Sequence, residues 1–210
     1  MSEQLQHKRA LLTRIRRVVV KIGSSILSGP QGIDRERVAR LVGELVDLRR
    51  RGYQLVLVSS GAVAAGMARL GLRERPKTVP QKQAAAAVGQ IRLMAIYDER
   101  FAALDQPVAQ LLLTHEDLAH RRRYLNARHT FEELLGAGVL PIVNENDTVA
   151  VEEVRFNFGD NDNLSALVAT LIGADLLVIL SDVGGLYDAD PHRYPDARLV
   201  PLVDEVGADV

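Results

Sequence analysis

The sequence contains no cysteine and no tryptophan, and aromatic residues make up only 4% of its 210 positions. The absence of cysteine excludes disulfide bonds, thiolate metal sites and cysteine nucleophiles, and it is typical of proteins from a reducing cytoplasm. So few aromatic side chains also disfavour the base-stacking surfaces of proteins that bind single-stranded nucleic acid. These absences narrow the possible functions before any motif is considered.

The sequence also lacks a strong net charge and a long apolar run. Its 26 Lys and Arg residues against 27 Asp and Glu give a formal net charge of -1, so nucleic acid is not expected as a partner. The longest apolar segment, residues 166–180, is interrupted by Asp175, and residues 1–17 lack the apolar core of a signal peptide. We therefore expect a soluble cytoplasmic protein without a membrane partner.

What the sequence does contain is typical of a globular protein, with 47% hydrophobic and 25% charged residues, and its length favours one domain. Short apolar runs predict strands over residues 17–22, 54–58, 107–113, 139–143 and 176–180. Apolar residues at helical spacing predict helices over residues 38–48, 62–70, 81–104, 122–135 and 163–172. This alternation predicts an α/β fold, a three-layer αβα sandwich around a mostly parallel sheet.

Polar clusters follow four of the predicted strands. They cover residues 21–25, 59–61, 144–147 and 181–182. In a parallel sheet, ligands bind outside the carboxyl ends of the strands, so these clusters predict a binding site at one edge. Each cluster taken alone is equally compatible with ordinary turns, because Gly, Ser and Asn are good turn formers.

Several familiar motifs are missing. Neither GxxxxGK(S/T) nor GxGxxG occurs, so a standard P-loop and a dinucleotide-binding fingerprint are excluded. His115 and His120 are five residues apart and would face different sides of a helix, so we expect a helix capped by Thr114 there and not a zinc site. The acidic string at 159–163 does not fit a calcium loop, because no Glu follows at the required position. No protein-bound metal is predicted.

The remaining polar residues suit an anionic or zwitterionic ligand. Gly23 and Gly61 allow backbone amides to approach a ligand closely, and Lys21 at the end of a buried strand supplies a positive charge suited to phosphate. Lys21 could equally be an ordinary lysine that extends its head group into solvent. Two groups of Asn and Asp residues, at 144–147 and 161–163, can bind both the ammonium and the carboxylate of a small molecule, although Asn and Asp also form turns.

The order of short motifs resembles that of the glutamate 5-kinases of the amino acid kinase family. The motifs are VVKIGSS (19–25), VSSGAVAAG (58–66), AVGQ (87–90), LNAR (125–128), VNEND (143–147), GDNDNLSA (159–166) and SDVGGLY (181–187). The resemblance implies an amino acid kinase-like fold. It also implies ATP-dependent phosphorylation of the side-chain carboxylate of L-glutamate, at the start of proline biosynthesis.

The resemblance implies a role for each matching residue. Lys21 would bind the ATP phosphates and stabilise charge on the transferred phosphoryl group, and Asp162 would organise the catalytic lysines. The implied glutamate-binding residues are Ser60, Asp147 and Asn161. The implied nucleotide-binding residues, besides Lys21, are Ser181 and Asp182. Mg²⁺ would arrive bound to ATP, so the resemblance implies no separate metal site.

The resemblance also bears on the length of the chain. After the segment that matches residues 199–210, members of that family continue with a glycine-rich nucleotide loop, which carries a second catalytic lysine. A PUA domain often follows. This chain ends at Val210. We therefore expect residues 1–210 to be an amino acid kinase domain truncated at its C-terminal end, without a PUA domain, with an incomplete ATP site and weak or absent activity.

Two further expectations concern ligands and assembly. A chain without turnover could still bind glutamate, or proline, which the resemblance implies as a feedback inhibitor. The resemblance also implies a homo-oligomer. The predicted helix over residues 81–104 could supply a contact between copies or could pack within one chain.

Overall fold

The computed structural model describes residues 12, 14–29, 32–150 and 160–203. The chain forms two compact units. Ile15–Leu180 make up the larger unit, and Met1–Arg14 together with Ser181–Val210 make up the smaller one. Within the smaller unit, Tyr187 and Leu199 form an isolated antiparallel bridge. The helices and strands described below belong to the larger unit.

The described strands are β1 (Arg17–Ile22), β2 (Ser28–Gly29), β3 (Gly32–Ile33), β4 (Gln54–Ser59), β5 (Val108–Leu113), β6 (Leu140–Glu145) and β7 (Leu176–Leu180). Five of them form a parallel sheet in the order β5-β6-β4-β1-β7. The other two, β2 and β3, form a short antiparallel hairpin that was not among the predicted strands. The predicted parallel sheet is confirmed.

Helices cover both faces of this sheet. They are α1 (Ser24–Leu27), α2 (Arg35–Arg50), α3 (Ala62–Leu70), α4 (Val79–Ala102), α5 (His115–Ala119), α6 (Arg121–Gly136) and α7 (Asp160–Ile172). Among the described residues, none of the helices combines the length and the apolar composition that crossing a bilayer requires.

The strand β1 lies between two hydrophobic layers. Its side chains alternate between the faces of the sheet, as the strand period requires, so Val18 and Val20 belong to one core and Val19 to the other. The first core includes Val38, Leu45, Leu93 and Tyr97 from α2 and α4. The second includes Phe131, Leu135, Leu164 and Val168 from α6 and α7. The predicted three-layer arrangement is thereby confirmed.

The long helix α4 begins earlier than the sequence suggested. The predicted start was residue 81, but the helix begins at Val79, and Pro80 occupies its first turn. Proline is compatible with this place because the first backbone N–H groups of a helix have no partner within it. Gln81 closes the turn by accepting a hydrogen bond from the backbone N–H of Thr78 at 3.3 Å.

Two other boundaries move polar residues from loops into regular structure. The strand β6 continues to Glu145, so Asn144 lies within the strand and not after it. The helix α7 begins at Asp160, so Asn161 and Asp162 lie in its first turn, ahead of the predicted start at residue 163. Asn and Asp favour helix starts because their side chains compete for backbone groups elsewhere in a helix. Both shifts give these side chains fixed backbone supports.

A carboxylate joins the start of β7 to the start of β1. Asp175 accepts hydrogen bonds from the backbone N–H groups of Arg17 at 2.8 Å and Arg16 at 2.9 Å. These two hydrogen bonds, helped by the positive charges of the same two arginines, hold the pKa of Asp175 below its usual value. The ionised carboxylate therefore stabilises the pairing of the two strands.

We expect the substitution Asp175→Asn to remove a pH-dependent part of the stability. Because the pKa is lower in the folded state than the unfolded value of about 3.9, the contribution is present above that value and is lost as the pH falls through the folded pKa. Urea unfolding at several pH values measures it. The wild-type midpoint should exceed that of the variant near pH 6, and the difference should shrink below pH 4. A difference that is independent of pH would contradict this assignment.

Two glycines allow α3 and α4 to approach until their backbones touch. A Cβ added at Gly66 would lie 1.8 Å from the carbonyl oxygen of Ala85, and one added at Gly89 would lie 1.8 Å from the carbonyl oxygen of Ala62. Neither obstacle is a movable side chain. The two helices can therefore keep this separation only with glycine at both positions.

We expect Gly89→Ala to lower the free energy of unfolding by about 3 kcal/mol, because the new methyl group must push two backbones apart. Gly43→Ala is the matched control, since Gly43 also lies inside a helix but an added Cβ there meets nothing within 4 Å. This control should be neutral or stabilising by up to about 1 kcal/mol. Chemical unfolding of both variants tests the contact, and equal effects at the two positions would contradict it.

Candidate active site

The carboxyl ends of β1, β4 and β6 meet at one edge of the sheet, where they border a cavity of about 490 Å³. The polar residues that line it include Lys21, Ser60, Gly61, Asn144, Asp147 and Asn161. Four of the residues that the sequence singled out for ligand binding therefore share one cavity in the larger unit: Lys21, Ser60, Asp147 and Asn161. The structure therefore has a cavity at the strand ends, where the sequence predicts a binding site, and the binding role of these residues stays a prediction.

Lys21 places a buried positive charge in the wall of this cavity. The residue is only 9% exposed, and its Nζ lies 2.7 Å from Oδ1 of Asp162 in the first turn of α7. A buried ammonium requires a partner of opposite charge, and Asp162 supplies it. The Asp162 side chain is 45% exposed, so the pair is open to solvent on the carboxylate side. The pair links the end of β1 to the start of α7.

Three polar side chains from different elements form a hydrogen-bonded cluster beside this pair. Nδ2 of Asn161 donates to Oγ of Ser60 at 2.8 Å and to Oδ1 of Asn144 at 3.1 Å. Asn144 is 4% exposed, and its Oδ1 also accepts from the backbone N–H of Glu145 at 2.9 Å. The cluster therefore ties α7 to the ends of β4 and β6.

Side chains from α4 support the cluster from outside the cavity. Nδ2 of Asn144 donates to Oε1 of Gln90 at 2.8 Å. About two turns further along α4, the hydroxyl of Tyr97 lies 2.9 Å from Oγ of Ser59, the residue before Ser60. Burial raises the pKa of Tyr97, an effect that the hydrogen bond with Ser59 only partly offsets, so the phenol stays protonated.

The N-terminus of α3 contributes backbone amides to the cavity. Gly61 precedes the helix with φ of 115°, a conformation that L side chains rarely adopt, and no side chain caps the helix start. Residues 61–64 line the cavity. The first N–H groups of a helix have no partner within it, and the helix dipole favours negative charge there. The arrangement suits an anionic group.

Sequence reasoning placed some of these residues and missed others. Ser181 and Asp182 belong to the smaller unit, where the Ser181 hydroxyl donates to the Asp182 carboxylate at 3.2 Å, and their nucleotide role stays a prediction. Gln90 was noticed only as part of a motif, without a role. Tyr97 carried no signal, because it occupies an apolar position of a helix.

Two alternatives considered from the sequence can be located. Thr114 caps α5 as expected, since its Oγ1 accepts from the backbone N–H of Asp117 at 3.2 Å, and His115 and His120 lie on the surface. In the described ranges, no group of three or more His, Asp or Glu side chains could hold a metal ion. The 159–163 string falls partly outside the described residues, at residue 159.

The chain is similar in sequence to known glutamate 5-kinases. The chain is 55% identical over 204 residues to a glutamate 5-kinase of Pelobacter propionicus, a match that covers 97% of this chain and 54% of that protein. It is 56% identical over 198 residues to a glutamate 5-kinase of Geobacter metallireducens, covering 94% of this chain and 52% of that protein. The chain thus spans about half the length of the curated relatives it matches.

A solved structure and a family model complete the comparison. The product complex of T. acidophilum isopentenyl phosphate kinase is 18% identical, with a TM-score of 0.59 over 88% of this chain and 78% of that one, which is a likeness of fold. The model of the amino acid kinase family matches residues 16–209, nearly the whole chain. The chain therefore belongs to the amino acid kinase family.

Proposed function

We propose that this chain binds L-glutamate in the cavity at the strand ends and takes part in transferring a phosphoryl group from ATP to its side-chain carboxylate, the first step of proline biosynthesis. The observation that carries the proposal is the buried Lys21, paired with Asp162, in the wall of the cavity that the Asn161 cluster also lines. The names of the relatives, all glutamate 5-kinases, supply the substrate.

The cavity wall offers the groups that a zwitterionic amino acid needs. The carboxylate of Asp147 can accept hydrogen bonds from an ammonium group, and the hydroxyl of Ser60 can donate to a carboxylate. Asn161 holds Ser60 in place through its 2.8 Å hydrogen bond. We assign glutamate binding to Ser60, Asp147 and Asn161 on this basis.

In this reaction the protein has to position the two substrates and to stabilise the charge that develops during transfer. The acceptor carboxylate is already ionised near neutral pH, so no side chain has to remove a proton from it or serve as a nucleophile. Lys21 provides a positive charge whose position is fixed by burial and by Asp162. A preorganised charge of this kind stabilises the negative charge that develops during transfer.

The nucleotide is the second substrate. ATP, with its bound Mg²⁺, supplies the phosphoryl group and neutralises part of its charge. The uncapped N-terminus of α3 and Lys21 fit an anionic group in the cavity. We assign phosphate binding to Lys21. For Ser181 and Asp182, in the smaller unit, a contact with the nucleotide stays a prediction from the sequence.

The proposal is tested by trapping the acyl phosphate as a hydroxamate, with L-glutamate, L-aspartate and N-acetyl-L-glutamate as acceptors and ATP as donor. We expect hydroxamate from L-glutamate in preference to the other two acids. Calorimetric titrations with L-glutamate, L-proline and a non-hydrolysable ATP analogue run beside it. Amino-acid binding without hydroxamate would identify these residues as a binding portion without turnover, and binding of none of the three would overturn the proposal.

We expect Lys21→Ala to lower the rate of phosphorylation by about 10²–10³-fold, because a charge aimed at the transferring group is lost. Lys21→Met, which keeps most of the buried volume, should lose as much. Lys82→Ala is the matched control, since Lys82 is exposed on α4, and it should leave the rate unchanged. Circular dichroism verifies that the variants fold, and near-full turnover by Lys21→Met would contradict the role of Lys21.

A further inference from the structure

Four polar side chains form a continuous hydrogen-bonded chain from α4 to the cavity. In order from the helix they are Gln90, Asn144, Asn161 and Ser60, and we call them the amide relay. The successive donor–acceptor distances are 2.8 Å from Asn144 to Gln90, 3.1 Å from Asn161 to Asn144 and 2.8 Å from Asn161 to Ser60. Only Gln90 lies outside the residues that line the cavity.

The direction of every hydrogen bond in the amide relay is fixed by one backbone group. The N–H of Glu145 can only donate, so the atom of Asn144 that faces it at 2.9 Å must be the oxygen. The nitrogen of Asn144 therefore faces Gln90, which must present its own oxygen. The atom of Asn161 that faces the Asn144 oxygen must in turn be its nitrogen.

This direction decides what Ser60 can do. The amide nitrogen of Asn161 can only donate, so Ser60 Oγ is the acceptor of the 2.8 Å hydrogen bond between them. The hydroxyl hydrogen of Ser60 is then free to donate elsewhere. Among the described residues, the structure shows no protein acceptor for it, and Ser60 lines the cavity. A hydroxyl that must donate into a cavity selects an acceptor such as a carboxylate oxygen.

Gln90 completes the relay at its outer end. Asn144 is 4% exposed, and in the described part of the chain Gln90 is the side chain that accepts from its amide nitrogen. Without that acceptor, a buried N–H of Asn144 would have no hydrogen-bond partner, which costs free energy. Rotation of the Asn144 amide would then relieve part of that cost. Hydrogen bonds in a chain also strengthen one another, so losing the hydrogen bond at Gln90 weakens the hydrogen bond at Ser60.

We propose that Gln90 is a positioning residue that sets Ser60 as a hydrogen-bond donor to a carboxylate oxygen of the ligand. It acts through Asn144 and Asn161 and does not touch the ligand. The identity of the ligand as L-glutamate rests on the proposed function. The direction of the relay rests on the backbone N–H of Glu145 and the four distances alone.

Two substitutions at Gln90 separate positioning from packing. Gln90→Glu keeps an oxygen acceptor for Asn144, whereas Gln90→Met keeps the shape of the side chain but has no comparable acceptor. By calorimetry, we expect Gln90→Met to bind L-glutamate about tenfold more weakly, the worth of one hydrogen bond, and Gln90→Glu to stay within about threefold of wild type. A packing role gives the opposite order, because a half-buried position accepts Met better than an ionised Glu.

Gln83→Met is the matched control, since Gln83 lies two turns earlier on α4 and donates to the backbone oxygen of Ala150 outside the relay. It should bind L-glutamate as the wild type does. Gln90→Met binding as tightly as wild type, or more tightly than Gln90→Glu, would overturn the proposal.

A second readout needs no ligand. Hydrogen exchange of the side-chain amides, followed by NMR, should show the Asn144 and Asn161 amide protons exchanging about tenfold faster in Gln90→Met than in wild type or Gln83→Met. Unchanged exchange would overturn the positioning role of Gln90. If the wild-type chain binds no L-glutamate, the proposed function fails, and the amide exchange still decides whether Gln90 orders the relay.

Discussion

The contact between the backbones of α3 and α4 is the constraint on which the site depends. Gly89 packs against the carbonyl of Ala62, which is the first residue of α3. Gln90 is the next residue along α4. One contact therefore locates both the helix N-terminus that faces the cavity and the outer end of the amide relay. A wider separation of the two helices would move the anion-favouring amides and the support of Asn144 together.

The parallel sheet and the location of the site could be predicted from the sequence because both follow from simple periodicities. Apolar runs that end in Gly, Ser or Asn place strand ends on one edge, and the carboxyl ends of parallel strands meet there. Lys21, Ser60 and Asp147, each at such an end or just after it, belong to the clusters selected for this reason, and the structure brings them to one cavity. Most strand and helix bounds agree to within a few residues.

What the sequence could not provide was the three-dimensional partner of each polar group. Gln90 precedes Asn144 by 54 positions, and nothing in the helical pattern of α4 indicates that its side chain meets the end of β6. The start of α7 was misplaced because a run of Asn and Asp reads equally well as a loop or as the first turn of a helix. Hydrogen-bond direction is also invisible in a sequence, since it depends on which backbone N–H faces which side chain.

The alternation along β1 has a consequence for insertions and deletions. Val18 and Val20 belong to one core, while Val19 faces the other, and Lys21 shares the parity of Val19. Removing one residue ahead of Lys21 within this strand would exchange the two faces and turn the ammonium towards the opposite layer of helices. Flanking loops can absorb changes in length, whereas β1, paired on both sides, cannot. Among functional versions of this protein, insertions and deletions should therefore occur in the loops that flank β1 and not in the strand itself.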